Sequence, residues 1–300
     1  MAKVWTDLVD PTRDEILRAL ATPLDPDAIE LLAAPAGDGR AARPVLEGHG
    51  SYVVAVLAYP RALPQEDRVE YLELDVVATP ARVVTIRKSG TRGELVPVDG
   101  VAARVDAADH PGAIFHAAVD DSADAFLELL DGLYEKIDDL ESHVERLPGA
   151  DVRRRLGELR HELLLARRFS SATRGIARRI VDGRIDVGRA ELFPHDVEVL
   201  YVDTYETLVR VTEELDVARD LLGGVRDYYQ AKITEQQNDV AKKLTVIASL
   251  VLVPSLIVGF YGQNFAGEFG EAYWSMGVSL GLIVTTTLVQ LALFRWRRWI

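Results

Sequence analysis

Two stretches near the C-terminal end carry no charged residue. Leu244 to Gly267 reads LTVIASLVLVPSLIVGFYGQNFAG, 24 residues, and Ala272 to Phe294 reads AYWSMGVSLGLIVTTTLVQLALF, 23 residues. A bilayer core of about 30 Å needs roughly 20 apolar helical residues, so each run is long enough to cross it. The short polar turn between them, centred on GQNFAGEFGEA, makes the pair a helical hairpin across a membrane rather than two buried core helices. Upstream the pattern changes twice. Within 1–115, β-branched runs at Tyr52–Leu57, Val69–Val77 and Arg82–Arg87 are separated by Pro- and Gly-containing turns. Pro11–Leu20 and Asp25–Ala34 read as helices, which predicts a small α/β domain. From about Gly112 the period becomes helical. Ile114–Leu147 is one long amphipathic segment ended by Pro148-Gly149, and Asp151–Val181 is a second, rich in Arg and Leu. A third helix begins near Pro194, a good first-turn residue, and meets no proline until Pro254. Unbroken from His195 to Phe260, its 66 residues would extend about 99 Å at 1.5 Å each, with Gly223-Gly224 the one weak point.

The expected organisation is an α+β cytosolic domain (1–115), a long helical hairpin (116–194) and a stalk helix (195–260) continuing into the first span (244–261). An outer loop (262–271), a second span (272–294) and a basic tail (295–300) follow.

Charge orients this arrangement. The chain has 34 Lys+Arg against 47 Asp+Glu, a net −13, but residues 241–300 sum to +3 and leave −16 on residues 1–240. So acidic a body excludes nucleic acid as a partner, since that needs a basic footprint. Lys242 and Lys243 precede the first span, RWRRW follows the second, and the turn between holds Glu268 and Glu271 with no basic residue. The positive-inside tendency then places both termini in the cytoplasm, and Trp274, Trp296 and Trp299 sit where indoles favour headgroups. The N-terminal MAKVWTDLVDPTRDE has no apolar signal core, so no cleaved leader is expected. The absence of cysteine excludes disulfides, thiolate zinc sites and cysteine nucleophiles.

Two helices cannot enclose a water-filled pore, so a pore needs an oligomer. Asn238, Ala241, Leu244, Ala248, Leu252, Ser255 and Gly259 recur at three- and four-residue steps and share one face of the first span. That stripe suits a pore wall. It equally suits close packing on the second span, because small residues let helices approach in lipid. Neither span has an ionisable side chain, and His49, His110, His116, His143, His161 and His195 all lie in the body. Proton-coupled carriers need an ionisable group at membrane depth, and a site that strips Zn2+ of water wants His, carboxylate or thiolate. A neutral lining suits an ion that keeps its waters, and Mg2+ dehydrates reluctantly. No P-loop, nucleophile motif or metal-ligand cluster argues for an enzyme, and Asp138-Asp139 reads as a solvated face.

The first span ends in Tyr261-Gly262-Gln263-Asn264-Phe265, which resembles the YGMNF motif of the CorA family of divalent-cation transporters. The context agrees: Asn238-Asp-Val-Ala-Lys-Lys-Leu244-Thr245, a proline-bearing span, a short acidic loop, a second span and a basic Trp-containing end. Tyr201-Val-Asp203-Thr-Tyr205-Glu206 and Tyr134-Glu-Lys-Ile-Asp-Asp139 also look like family helices. The resemblance implies a homopentamer with a funnel-shaped cytosolic domain, in which Gly262, Gln263 and Asn264 ring the outer mouth as a selectivity filter. Asn264 would face first-shell waters of the ion, and Gly262 would permit tight backbone geometry at the helix end. Leu244 and Leu252 would be constrictions that gate by dewetting, and Glu268 and Glu271 would concentrate cations. Lys242, Lys243, Arg295, Arg297 and Arg298 resemble the family's basic collar. Asp203 and Glu30 match acidic positions of its regulatory Mg2+ site between subunits, although Leu31 replaces an adjacent aspartate.

The expected function is a cell-membrane channel for hydrated Mg2+, with Co2+ and Ni2+ as further cargo, gated by cytosolic cations and without an organic cofactor. Its partners are further copies of itself, the bilayer and divalent cations. Gln263 replaces the family's methionine, and the ZntB branch, with GIN, is associated with zinc. A ZntB-like zinc transporter and a non-conducting cation sensor are therefore the alternatives.

Overall fold

The computed structural model describes residues 4–36, 44–63, 68–105, 110–185, 192–263 and 276–299. Five strands, β1 (Trp5–Val9), β2 (Val45–Gly48), β3 (Val53–Leu63), β4 (Arg68–Thr79) and β5 (Arg82–Arg87), form one sheet in the order β1-β5-β4-β3-β2. β1 runs parallel to β5, and the other pairs are antiparallel. β3 is buried without interruption from Val53 to Pro60 and β4 from Leu72 to Thr79. A sheet covered on one face would alternate instead, so both faces are covered. On one face Ile16 and Leu20 of α1 (Arg13–Leu20), with Ala28 and Leu32 of α2 (Pro26–Ala33), pack on Val54, Val77, Val84 and Ile86. A Thr12–Glu15 capping box starts α1, and the Asp25 carboxylate with Pro26 starts α2.

The other face carries α4 (Pro111–His143) and α5 (Gly149–Val181). Tyr59 Oη donates to the Ala118 carbonyl at 2.5 Å, Ser122 Oγ to the Ala58 carbonyl at 3.0 Å, and the Tyr71 ring lies 4.5 Å from that of Phe169. The short helix α3 (Asp99–Val105) precedes α4. Sequence pattern does not announce β1, β2 or α3, which are too short and too polar to show a period.

The next helix, α6, spans His195–Gly262, 68 residues, and stays helical through Gly223-Gly224, so the expected weak point is no break. Its first part buries Val197, Tyr201, Thr204, Leu208, Val211, Leu215, Ala218, Leu222 and Val225, a 3-4 seam of the coiled-coil kind. The chain divides into two compact units, one up to Arg226 and one from Asp227 on. The second contains the rest of α6 and α7 (Met276–Trp296). These two helices are long and apolar enough to cross a membrane.

One buried ionic cluster stands in the sheet. Lys88 Nζ sits 2.5 Å from Glu73 Oε1 and 2.9 Å from Asp75 Oδ2, and donates to the Leu31 carbonyl at 3.1 Å. All three charged side chains are at most 3% exposed. Burial pushes the Asp75 carboxyl up to about 7, with Lys88 opposing and Glu73 adding to the shift. Burial alone would lower the Lys88 ammonium, but its two carboxylates outweigh that and raise it. Lys88→Met strands two carboxyl groups without a cation, and we expect a loss of about 3–5 kcal/mol in denaturant unfolding of the full chain. The unfolded Asp75 releases its proton near 3.8 and the folded one near 7, so over that window the folded state binds more protons. Wild type should therefore lose stability relative to Asp75→Asn as pH rises from 4 to 7. A flat difference across that range would contradict the assignment.

Candidate functional site

The second part of α6 holds the seven stripe residues, and all of them are exposed: Asn238, Ala241, Leu244, Ala248, Leu252, Ser255 and Gly259. The buried or half-buried positions of this stretch are Val246, Ser249, Leu250, Val253, Pro254, Ile257 and Tyr261. At about 100° per residue these lie on the opposite side of the helix. Gln290 of α7 donates to the Ser249 carbonyl on that covered side, at 3.4 Å. Of the two roles open to the stripe, contact with the second apolar helix is thus taken by the other face.

Polar groups along this helix are satisfied locally. Thr245 Oγ donates to the Ala241 carbonyl at 2.9 Å, Ser249 Oγ to that of Val246 at 3.0 Å and Ser255 Oγ to that of Val251 at 2.7 Å. Such back-bonding is what a hydroxyl without water requires. Pro254 has no amide to give, so the Leu250 carbonyl loses its usual helical donor. Gly262 is the last residue of α6, and the Gln263 amide closes the helix onto the Phe260 carbonyl at 3.2 Å. Positive φ is confined, among the described glycines, to Gly50, Gly93 and Gly183. Gly262 is not among them. Asn264, Glu268, Glu271 and Trp274 lie outside the described residues.

Of the expected collar, Lys242 pairs with Asp239 at 3.1 Å and Lys243 is exposed. Arg295 lies in the last turn of α7, and a Schellman turn closes the helix. The Trp299 amide reaches the Phe294 carbonyl at 2.9 Å, and the Arg298 amide reaches that of Arg295 at 3.1 Å. Arg298 takes the left-handed position at φ 55°, with Arg297 just before it, and Trp299 stacks on Phe294 at 5.9 Å.

In the first unit Glu30 is exposed on α2 and Asp203 is exposed on α6. No group of three or more His, Asp or Glu gathers to hold a metal among the described residues. Beside Asp203 stands a network that sequence pattern did not single out. Thr204 Oγ donates to Asp120 Oδ1 at 2.7 Å, so it must accept from His116 Nε2 at 2.9 Å; Nε2 also lies 3.1 Å from the Leu200 carbonyl. His116 therefore carries its proton on Nε2, while its buried Nδ1 has no partner among the described residues. Burial holds the imidazole below its ordinary value despite Asp120 nearby. Burial, with Asp120 and Asp124, pushes Asp121 up to about 6. A side chain at Gly100 would collide with the Asp121 carboxylate, which explains the glycine there. On an amphipathic helix these acids read as a solvated face, and no spacing distinguishes them.

A family model described as CorA-like Mg2+ transporter protein matches residues 2–298. The cobalt/magnesium transport protein CorA of Thermotoga maritima is 23% identical over 189 residues, 62% of this chain and 52% of that protein. The chain thus spans about half the length of that relative. The Bacillus subtilis protein YfjQ is 24% identical over 260 residues, 86% of this chain and 78% of its own. Among solved structures, the CorA magnesium transporter from Methanocaldococcus jannaschii aligns with a TM-score of 0.75 at 15% identity, covering 99% of this chain and 91% of that one. At that identity the likeness shows the fold: an N-terminal α/β domain, long helices and two apolar C-terminal helices.

Thr204→Val removes the hydroxyl that joins the half-buried Asp120 to the buried His116 and leaves Nε2 with the Leu200 carbonyl alone. We expect a cost of about 1–3 kcal/mol in chemical unfolding. An unchanged midpoint would show that the network carries no stability.

Proposed function

The chain belongs to the CorA-like Mg2+ transporter family, and from that premise we propose that it conducts a hydrated divalent cation, Mg2+ first, along the axis of a homopentamer. The observation that carries this reading is the division of labour on α6. The face bearing Ala248, Leu252, Ser255 and Gly259 is exposed, while the opposite face is the covered one. A free stripe without charge at membrane depth needs a neighbour of the same kind or water, and a central pore supplies both.

In this reading Leu244 and Leu252 form the narrow apolar rings, which dewet when closed. Asn238, Ala241, Ala248, Ser255 and Gly259 give a neutral wall of small and amide groups between them. Gly262, Gln263 and Asn264 form the filter, where amide groups meet the ion's own waters. Glu268 and Glu271 raise the local cation concentration, and the basic residues at 242, 243, 295, 297 and 298 hold the cytoplasmic ends of both spans at the headgroups. An inside-negative potential of about 100 mV then drives a divalent ion inward with about 4.6 kcal/mol, at about 2.3 kcal/mol per charge. Glu30 and Asp203, on an acidic body, are the positions at which cytosolic Mg2+ between subunits would close the pore.

Flux into proteoliposomes tests this. Wild type should admit Mg2+ under a potential and be blocked by hexammine-cobalt, a mimic of hydrated Mg2+. Asn264→Ala should lose at least about tenfold, or about 1.4 kcal/mol in the barrier. Zn2+ entry without Mg2+ entry would assign the protein to the zinc alternative raised by Gln263. No flux of either ion from an intact oligomer would leave the sensor. The absence of native cysteine permits a second test of the register. A thiol placed by Ala248→Cys or Leu252→Cys should react with a water-soluble reagent, and one placed by Val253→Cys should not.

A further inference from the structure

The hairpin of α4 and α5 is charged in opposite senses. α4 carries nine Asp and Glu against Lys136, and α5 carries nine Arg against three Asp and Glu. Some of this charge pairs within the chain: Arg155 with Asp139 at 2.8 Å, Lys136 with Glu162 at 3.5 Å and Arg167 with Asp216 at 2.8 Å. Part of what remains forms two stripes. On α4, Glu128, Asp131, Glu135 and Asp138 follow one another at steps of three and four, and on α5, Arg153, Arg160 and Arg168 at seven and eight. Each spacing keeps its set on one side of its helix.

That side is the one facing away from the helix's own core, Leu133, Ile137 and Leu140 on α4 and Leu159, Leu163 and Ala166 on α5. All seven charged residues are exposed, and none has an ion-pair or side-chain hydrogen-bond partner among the described residues. Turned outward on separate helices, the stripes cannot meet within one chain. Left alone, the carboxylates repel at every three- and four-residue step. The stripes also have comparable reach, about 15 Å on α4 and about 22 Å on α5 at 1.5 Å per residue.

We propose that the arginine stripe of α5 in one copy docks on the carboxylate stripe of α4 in the next. A patch and its complement on the same chain make a heterologous contact, the kind that closes a ring. A two-fold dimer could use the same pair reciprocally, but its cross-linked ladder would stop at two. Arginine suits the role, because its planar fork meets carboxylates in pairs of hydrogen bonds. The inference rests on the homo-oligomer reading above and adds a direct ionic contact between subunits that needs no bridging cation.

The test uses the full-length chain in lipid nanodiscs. Glu135→Cys and Arg160→Cys chains, co-expressed and treated with a short bismaleimide, should cross-link to each other, and neither variant alone should. The double variant should give a ladder ending at the full ring. Adding Arg153→Glu and Arg168→Glu should abolish the ladder, and exchanging Asp131→Arg and Asp138→Arg on the other stripe should restore it. An oligomer intact by native mass spectrometry but without the cross-link would overturn the docking and leave the oligomer standing. A monomeric wild type would overturn both. Cross-linking in the single variants would mean that like positions meet, and a double-variant ladder that stops at the dimer would mean a two-fold contact; either would also overturn it.

Discussion

Leu252 and Leu256 of α6 are 71% and 72% exposed, and Leu288, Val289 and Val284 of α7 exceed half. Each such side chain held in water forgoes about 1.5–3 kcal/mol of the gain that burial would bring. A surface of this kind needs lipid or another protein against it, and everything else in the chain is arranged around that demand. One helix carries two apolar patterns in succession. Up to Val225 the buried residues form a narrow seam closed by its own chain, with Val199, Leu200, Val202, Val217 and Leu221 left exposed, and beyond Val246 apolar residues spread around the whole circumference. The change along a single helix is what a passage from water to lipid would require.

Upstream, polar contacts fix the seam where hydrophobic packing alone would tolerate a slip. Tyr134 donates to the Glu214 carboxylate at 2.6 Å, Arg174 donates to Thr212 at 2.9 Å, and Thr204 bridges Asp120 and His116. These contacts come from both α4 and α5, and a register shift of one turn would break all of them at once. The sheet uses the same device at Lys88, whose ammonium joins β4 to the end of α2. Buried charge is costly, so its return is specificity more than stability.

The long apolar runs and the long helices were legible because their signal extends over many residues. The proposed filter motif rests on resemblance alone, since nothing in its spacing separates Asn264 from a helix cap. Other features escaped for physical reasons. Glu73 and Asp75 sit within VEYLELDVV, where acids in a strand look like the solvent face. They are buried because one lysine, just past the end of the following strand, reaches them. The acids of α4 look alike in sequence, yet Asp121 is half-buried beside α3 while Asp131 and Asp138 are exposed. Only the tertiary fold separates those two environments. The stripe on α6 was ambiguous because a pore wall and a packing face share the same small residues, and the position of Gln290 resolves which face meets α7.

In the proposed pore, the back-bonded hydroxyl of Ser255 would bear on the sign of the ion that passes. Its proton is committed to the Val251 carbonyl, so toward an axis it can present only lone pairs. Water touching such a wall points hydrogen at the wall and oxygen inward. That is the orientation of the shell around a cation and the reverse of that around an anion. A lining with no formal charge can thus discriminate between the two through the direction of its hydrogen bonds, and without a fixed charge it never grips the ion too tightly to let it go.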